Sequence, residues 1–205
     1  YGFINILNKI LKEKKPDYLA ICFDVSRATF RLEKFAEYKI QRPPMPEGLC
    51  SQIPLIKQIV SSYGIAIFEK AGFEADDIIA TLSQRAAGLG LETTIVSSDK
   101  DILQLVDDKT VVFSPYEEKG MFYDAENVSE RFGVSPKQIA DLTALTGDSV
   151  DNIPSISGIT KSAAVELISK FGSIEALLEN IDQIKQDKIK NAVVENIDKI
   201  KLNKE

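Results

Sequence analysis

The 205-residue sequence contains no histidine and only two cysteines. Without histidine, the chain lacks the usual general base of serine and cysteine hydrolases and the most common zinc ligand. Cys22 and Cys50 do not form a CxxC pair, so the sequence indicates neither a zinc knuckle nor a disulfide framework. We expect both cysteines to be small core residues, and any catalysis to depend on oxygen ligands.

Long apolar runs are also missing from the sequence. The longest, such as residues 19–23 and 65–68, are far shorter than the ~20 residues needed to span a bilayer. The chain does not open with a signal-peptide pattern. These absences predict a cytoplasmic protein that has no membrane partner.

Acidic residues are plentiful, and eight of them form four sets at the ends of predicted strands or helices. These are Asp24; Glu74, Asp76 and Asp77; Asp99 and Asp101; and Asp148 and Asp151. Carboxylates that crowd one cleft repel each other and resist full ionisation unless a hard cation such as Mg²⁺ compensates their charge. The pattern therefore predicts metal-dependent chemistry on phosphates.

The net charge of −6 would ordinarily argue against a nucleic-acid partner, but the two signs are segregated along the chain. Between residues 27 and 42, five basic residues stand against two acidic ones. The basic residues are Arg27, Arg31, Lys34, Lys39 and Arg42. This segment predicts a basic contact surface, and the alternative is the solvated face of a charged helix.

Hydrophobic periodicity predicts an α/β fold. Strand-like runs at residues 18–23, 65–68, 93–96 and 110–113 alternate with helical patterns at about 3–11, 49–60, 75–87 and 101–106. Such alternation predicts a mostly parallel sheet flanked by helices, and ligands bind outside the carboxyl ends of such strands. We therefore expect the first three acidic sets to meet on one rim, although Asp76 and Asp101 taken singly could simply cap helices.

Beyond residue 123 the strand patterns give way to short helices, which predicts an α/β domain over residues 1–125 and a helical region over residues 126–205. A turn at residues 153–159 joins two of these helices and contains Gly158. A turn of this kind lets backbone N–H groups and the next helix N-terminus approach a phosphate. Taken alone, it is equally a plain helical connection.

Several strings of residues carry a family resemblance. FEADD at 73–77, SDKD at 98–101 and LTGDSVDNIP at 145–154 closely resemble the 5′-nuclease domain of bacterial DNA polymerases I, within the wider flap endonuclease family. Residues 23–24, 30–31 and 38–42 match in the same order. The resemblance implies a PIN-like or resolvase-like domain followed by a helix-hairpin-helix region. It also implies a divalent-metal nuclease that acts in DNA replication and repair on DNA with 5′ flaps, nicks or RNA primers.

The resemblance assigns roles to the acidic sets. Two Mg²⁺ or Mn²⁺ ions are implied, in a protein that we expect to be a monomer. Asp24, Glu74, Asp76, Asp77 and Asp99 match the residues that serve the first ion directly or through water, and Asp101, Asp148 and Asp151 match those of the second. Two such ions can activate a water and stabilise both the attacking and the leaving oxygen.

The resemblance also assigns the basic and helical residues. Lys39 and Arg42 match catalytic residues that clamp the scissile phosphate, while Arg31 and Tyr38 match DNA contacts. Gly158, Lys161 and Ser162 correspond to phosphate contacts of the helix-hairpin-helix, which in the family often holds K⁺. Here Thr160 follows where a second glycine is usual, and Ser155 replaces another glycine, so the sequence leaves K⁺ binding open.

Further differences leave other functions open. The family begins with a strand that carries an Asp ligand before the position matched by Tyr1, so we expect a fragment that lacks that strand and that ligand. A DNA-junction binding module that has lost cleavage is the main alternative. A HAD-like phosphatase, with Asp24 or Asp99 as the nucleophile, fits less well, because it needs a partner acid that only the DKD string approaches.

Overall fold

The computed structural model describes residues 1–115 and 120–205. Its α-helices are α1 (Gly2–Lys14), α2 (Phe30–Lys34), α3 (Glu47–Cys50), α4 (Gln52–Ser62), α5 (Ala75–Gly88), α6 (Ala125–Phe132), α7 (Ile139–Thr146), α8 (Lys161–Phe171), α9 (Ile174–Glu179), α10 (Asp187–Glu195) and α11 (Ile197–Lys204). The strands are β1 (Ala20–Cys22), β2 (Ala66–Phe68), β3 (Thr93–Val96), β4 (Thr110–Ser114) and β5 (Met121–Tyr123). Short 3₁₀ helices span Asp101–Leu105, Pro136–Gln138 and Ile181–Gln183.

The chain divides into two compact units. The first unit comprises residues 1–36 and 42–82, and the second comprises residues 37–41 and 83–205. Residues 37–41 thus belong to the second unit, although the residues on either side belong to the first. The boundary predicted at residue 125 remains a prediction about domain organisation.

The first unit contains a pair of parallel strands. β1 and β2 pair with Ala20 opposite Ala66 and Cys22 opposite Phe68. Helix α4 buries Val60 completely and leads into β2 through Gly64, whose φ of 71° allows the sharp reversal. Because β1 ends at Cys22, the chain emerges at the carboxyl end of the sheet with Asp24 two residues later.

The second unit contains a three-stranded sheet in the order β3-β4-β5. β3 pairs with β4 in parallel, with Ile95 opposite Val112, and β4 pairs with β5 in antiparallel fashion. The mostly parallel α/β fold predicted from the sequence is confirmed. The hydrophobic pattern did not reveal β5, because two of its three residues are exposed and the strand is too short to show alternation.

Helix α7 forms the centre of the helical part. Ile139, Leu142 and Leu145 are all buried, and α8 and α11 pack against this helix. Helix α8 begins at a regular N-cap, where the Thr160 hydroxyl accepts a hydrogen bond from Ala163 N at 3.2 Å. The core of this region is thus built around a helix that ends at Gly147, directly before the acidic loop.

The expectation for the cysteines was wrong in one case. Cys22 is half-buried on β1, whereas Cys50 is exposed at the end of the four-residue helix α3. None of the α3 residues is buried, so the local apolar pattern did not correspond to a buried face. Among the described residues, no helix is both long enough and apolar enough to cross a membrane.

Candidate functional site

The first acidic group, consisting of Asp24, Glu74, Asp76 and Asp77, lies within the first unit. Asp24 follows β1, and the other three residues lie at the start of α5. Asp24 Oδ1 accepts a hydrogen bond from Ala75 N at 2.7 Å, so it satisfies one of the N–H groups that a helix start leaves without a partner. This contact fixes the end of β1 to the N-terminus of α5.

Arg31 forms a bidentate ion pair with Asp77. Its Nη1 and Nη2 lie 2.9 and 2.8 Å from the two carboxylate oxygens of Asp77, and Nη1 is 4.0 Å from Glu74 Oε2. Asp77 Oδ2 also accepts a hydrogen bond from Glu74 N at 2.9 Å, which is a capping contact. The guanidinium of Arg31, matched by resemblance to a DNA contact, is therefore engaged with a carboxylate in this structure.

Asp76 influences the end of β1 through its charge. Burial raises the pKa of the Cys22 thiol, and the negative charge of Asp76 raises it further. Both effects disfavour the thiolate, which is the nucleophilic form of a cysteine. The half-buried position of Cys22 on β1 and the nearby negative charge therefore act in the same direction.

The second acidic group, consisting of Asp99, Asp101, Asp148 and Asp151, lies within the second unit. Asp99 follows β3, and its Oδ1 accepts a hydrogen bond from Asp101 N at 2.9 Å at the start of a 3₁₀ helix. Asp99 therefore caps a backbone N–H at the start of this 3₁₀ helix. Capping was the alternative role considered for Asp101. The carboxylate of Asp101 lies instead beside those of Asp148 and Asp151.

Three carboxylates of this group converge. Asp101, Asp148 and Asp151 each offer one oxygen, and these oxygens lie within 4.8 Å of one another. Asp148 is 4% exposed and Asp151 6%. Burial, followed by the charges of Asp99, Asp148 and Asp151, raises the pKa of Asp101 to about 6, although Lys100 opposes the shift. We call these three residues the carboxylate cluster.

The carboxylate cluster fits a divalent cation. Its donors are hard oxygens, which Mg²⁺ and Mn²⁺ prefer to sulfur or nitrogen ligands. Burial and the neighbouring carboxylates raise the pKa of Asp101, and a cation bound among the three oxygens would offset their mutual repulsion. The donor set and its electrostatics therefore agree with the sequence-based prediction of a metal site.

A tight loop presents Asp148 and Asp151. Asp148 N donates to Ile153 O at 2.8 Å and Ile153 N donates to Asp148 O at 2.7 Å, which closes the loop as a small antiparallel bridge. Gly147, with a φ of 70°, starts the loop, and a Cβ at this position would lie 2.4 Å from Ser155 N. Only glycine fits here, so the loop that carries the two aspartates depends on it.

The segment 37–41 packs onto this loop. Lys39 N donates to Asp151 O at 3.0 Å and Lys39 Nζ lies 3.6 Å from Asp151 Oδ2, while the Tyr38 hydroxyl donates to the same oxygen at 3.1 Å. Gln41 Nε2 donates to the carbonyls of Ser149 and Val150 at 2.8 and 3.0 Å. The motif that resembles the family's phosphate clamp is thus anchored to the carboxylate cluster.

Tyr38 is largely buried beside the acidic loop. It is 7% exposed and its hydroxyl is engaged with Asp151, so little of the side chain is available to a DNA strand. The role of Tyr38 as a DNA contact remains a prediction, and the structure adds a contact with Asp151 that the sequence did not indicate. Sequence reasoning missed this, and it also missed Gln41 and Lys100, although all three stand inside the matched strings.

The remaining predicted residues are Arg42 and three residues at or before the start of α8. Arg42 is half-buried, and its carbonyl accepts a hydrogen bond from Arg27 Nη1 at 3.1 Å. Gly158 has a φ of 88° in the turn before α8, and both Lys161 and Ser162 are exposed in the first turn of that helix. These phosphate contacts remain predictions. The expected convergence of the first three acidic sets on one rim also remains a prediction.

Two family models cover the whole chain. The model described as "5′-3′ exonuclease, N-terminal resolvase-like domain" matches residues 1–133, and the one described as "5′-3′ exonuclease, C-terminal SAM fold" matches residues 134–205. DNA polymerase I of Bacillus subtilis is 41% identical over 209 residues, which are 100% of this chain and 24% of that protein. The 5′-3′ exonuclease of Aquifex aeolicus is 40% identical over 187 residues, 91% of this chain and 64% of that protein. The chain thus spans less than two thirds of the length of these relatives.

Solved structures show the same fold. The D15 protein of bacteriophage T5, crystallised with metal ions, superposes with a TM-score of 0.82 at 25% identity over 99% of this chain and 80% of its own. The catalytic core of Rad2 in complex with DNA substrate gives a TM-score of 0.61 at 20% identity over 98% and 68% of the two chains. With its acidic motifs, its resolvase-like α/β part and its helical C-terminal part, the chain belongs to the 5′-3′ exonuclease family.

Proposed function

We propose that this protein is a structure-specific 5′ nuclease that hydrolyses phosphodiesters in DNA with 5′ flaps, nicks or RNA primers, during primer removal and repair. The observation that carries the proposal is the carboxylate cluster, in which three acidic oxygens lie within 4.8 Å of one another in a chain of this family. Support comes from the T5 relative, whose crystals contain metal ions, and from the Rad2 core, which was solved with DNA.

The proposed cofactors are two Mg²⁺ or Mn²⁺ ions. When bound, they supply an activated water and stabilise the attacking and leaving oxygens of the displacement. Asp101, Asp148 and Asp151 would hold one ion. The other would be held, directly or through water, by Asp24, Glu74, Asp76, Asp77 and Asp99. Because both oxygens of Asp77 are engaged by Arg31, its contribution is best made through water or by positioning.

Lys39 and Arg42 are proposed to orient the scissile phosphate. The backbone N–H of Lys39 is bonded to Asp151 O, and its φ of 54° fixes the chain direction, so the ammonium is held beside the cluster. A cation placed there neutralises charge that develops on the phosphate oxygens. Replacing Lys39 with alanine should therefore reduce kcat far more than it weakens DNA binding.

DNA binding away from the reacting phosphate is proposed for Gly158, Lys161 and Ser162, which lie at the start of α8, and for Arg31. Exposed backbone N–H groups and cations at a helix N-terminus bind phosphates without reading sequence. We further propose that the protein acts as a monomer, and in the cytoplasm, where such DNA substrates are found.

The deciding experiment uses the full-length protein and a labelled 5′-flap DNA. Cleavage is measured with Mg²⁺, with chelator, and for an Asp99→Asn variant beside an Asp182→Asn control, whose carboxylate lies on the surface of the second unit. We expect cleavage with Mg²⁺ by wild type and control alone. Equal cleavage under all conditions would disprove a metal nuclease, and tight flap binding without cleavage under any metal would favour the junction-binding module. Release of inorganic phosphate from small monoesters would favour the phosphatase.

A further inference from the structure

Lys100 is paired with a buried member of the carboxylate cluster. Its Nζ lies 3.2 Å from Asp148 Oδ1, and the Asp148 side chain is 3% exposed while that of Lys100 is 45% exposed. The same oxygen accepts a hydrogen bond from Val150 N at 2.9 Å. The half-exposed side chain of Lys100 thus forms an ion pair with an almost fully buried carboxylate.

The two lysines beside the cluster are held in different ways. Lys39 is tied to the acidic loop through its own backbone N–H, which donates to Asp151 O. Lys100 stands at the N-cap of the 3₁₀ helix, with ordinary dihedrals of −68° and −26°, and reaches Asp148 through its flexible side chain. Releasing the Lys100 ammonium therefore requires rotamer changes and leaves the backbone in place.

Lysine supplies positive charge beside the carboxylate cluster. Three carboxylates within 4.8 Å of one another, two of them buried, are costly without compensating positive charge. Lys100 supplies one such charge, because its ammonium contacts Oδ1 of Asp148, a member of the cluster. A divalent cation among these oxygens would lie within a few ångströms of the ammonium, where like charges repel strongly.

We propose that Lys100 is the resident counter-ion of Asp148 and that a divalent cation binding to the carboxylate cluster displaces its ammonium into solvent. Lys100 thereby sets the cation concentration at which the cluster loads. The inference rests on the proposed function insofar as the cluster holds a cation, but it concerns a residue that the nuclease mechanism does not require.

The first test measures binding of Mn²⁺ to the full-length protein by electron paramagnetic resonance, without DNA. Lys100→Met is compared with wild type and with Lys190→Met, which removes the same charge from a pair whose acidic partner, Asp182, is exposed. We expect the dissociation constant of the cluster to fall by about tenfold for Lys100→Met, since a competing cation is lost from a buried carboxylate. Lys190→Met should bind as wild type does.

Asp148→Asn separates the two proposals. If wild type binds no Mn²⁺, or if Asp148→Asn binds it as tightly as wild type, the cluster is not a metal site and the proposed function fails there. If wild type binds Mn²⁺ in an Asp148-dependent manner and Lys100→Met has unchanged affinity, the counter-ion inference alone is overturned. Should Asp148→Asn fail to fold, Asp101→Asn serves the same purpose.

The second test follows the ammonium itself. Acetylation of each lysine by a water-soluble reagent is quantified by mass spectrometry with and without saturating Mg²⁺. We expect the rate at Lys100 to rise several-fold when Mg²⁺ binds, while Lys204, which pairs with the buried Asp141, keeps its rate. An unchanged or slower rate at Lys100 would mean that its charge acts from a fixed position, and would overturn displacement even if Lys100→Met binds Mn²⁺ more tightly.

Discussion

The two acidic groups contain four carboxylates each, but their surroundings differ. In the first group, carboxylates meet fixed donors: Asp24 accepts from Ala75 N and Asp77 is gripped by Arg31. In the second group, Asp101, Asp148 and Asp151 face one another, and crowding with burial raises the pKa of Asp101 to about 6. Members of both groups have partners, but only in the second group do three carboxylates converge closely enough to share one cation.

The type of cation in each group reinforces this difference. Arg31 presents two parallel N–H donors to Asp77, a geometry that a single point charge does not reproduce. Lys100 places one ammonium on Asp148 at 3.2 Å and remains 45% exposed. The arginine locks a helix start, and the lysine can be exchanged for another cation.

The largest effect is expected at Asp101, where function and stability should move in opposite directions. Asp101→Asn removes one of three crowded charges, so flap cleavage by the full-length protein should fall by on the order of a hundredfold or more. The metal-free protein should nevertheless gain about 1 kcal/mol or more of stability at pH 7. Urea unfolding in chelator together with single-turnover cleavage tests both parts.

The pH dependence of Asp101→Asn has a definite sign. A carboxyl whose pKa is raised from 3.8 to about 6 on folding binds more protons in the folded state, so wild-type stability falls as pH rises between these values. Asn at this position removes that contribution, so the variant's metal-free stability should fall less steeply between pH 4 and 6. An equal slope would mean that the carboxylates are not crowded in solution.

The second prediction concerns the loop that presents Asp148. In Gly147→Ala a Cβ meets Ser155 N at 2.4 Å, and alanine must adopt a φ of 70°. We expect a loss of about 2–4 kcal/mol in the free energy of unfolding, measured in urea, together with weaker Mn²⁺ binding. Gly88→Ala is the control, because a Cβ there meets nothing within 4 Å. Equal stability of the two variants would contradict the loop geometry.

The third prediction tests the locked pair in the first acidic group. A double-mutant cycle of Arg31→Ala and Asp77→Ala, followed by unfolding in urea, should give a coupling energy of about 1–3 kcal/mol, because the pair is bidentate and partly buried. The same cycle in Mg²⁺ should give the same coupling if the pair is structural. A coupling that disappears with Mg²⁺ would place Arg31 in the same exchangeable class as Lys100.

The smallest effect is expected at an exposed ion pair of the second unit. The hydrogen bond from Lys204 lowers the pKa of Glu175 below its ordinary 4.5. A carboxyl group whose pKa is lowered on folding stabilises the folded state above pH 4.5, and this contribution is lost as the pH falls. Glu175→Gln should therefore flatten the acid limb of the stability profile slightly, by about a few tenths of a kcal/mol, since the side chain is 63% exposed.

Local patterns predicted most of the secondary structure. Strand β3 was predicted at the observed residues, and α5 to within one residue, because burial on one face gives these elements a clear periodicity. The helix predicted over 49–60 is divided in the structure into α3 and α4, and β5 was missed. Short elements with few buried residues carry too little pattern to be recognised.

The sequence also supplied the members of the site, but not their relations. It identified all eight acidic residues, and the strings that resemble the nuclease family include Tyr38, Gln41 and Lys100. It did not indicate that Tyr38 is buried on Asp151 or that Lys100 pairs with Asp148. These contacts join segments up to 113 residues apart in the chain, and such pairings leave no periodic signal.

By itself, the sequence determined the chemistry and the family: a chain without histidine, with acids placed after strands and helices, in motifs of a metal-dependent nuclease. These properties are local, because residue type and spacing suffice to define them. Only the tertiary structure decided which carboxylates are bound by an arginine and which lie crowded against one another. Burial and charge balance arise when β3, the loop after α7 and residues 37–41 pack together, and that packing leaves Asp101, Asp148 and Asp151 short of positive charge.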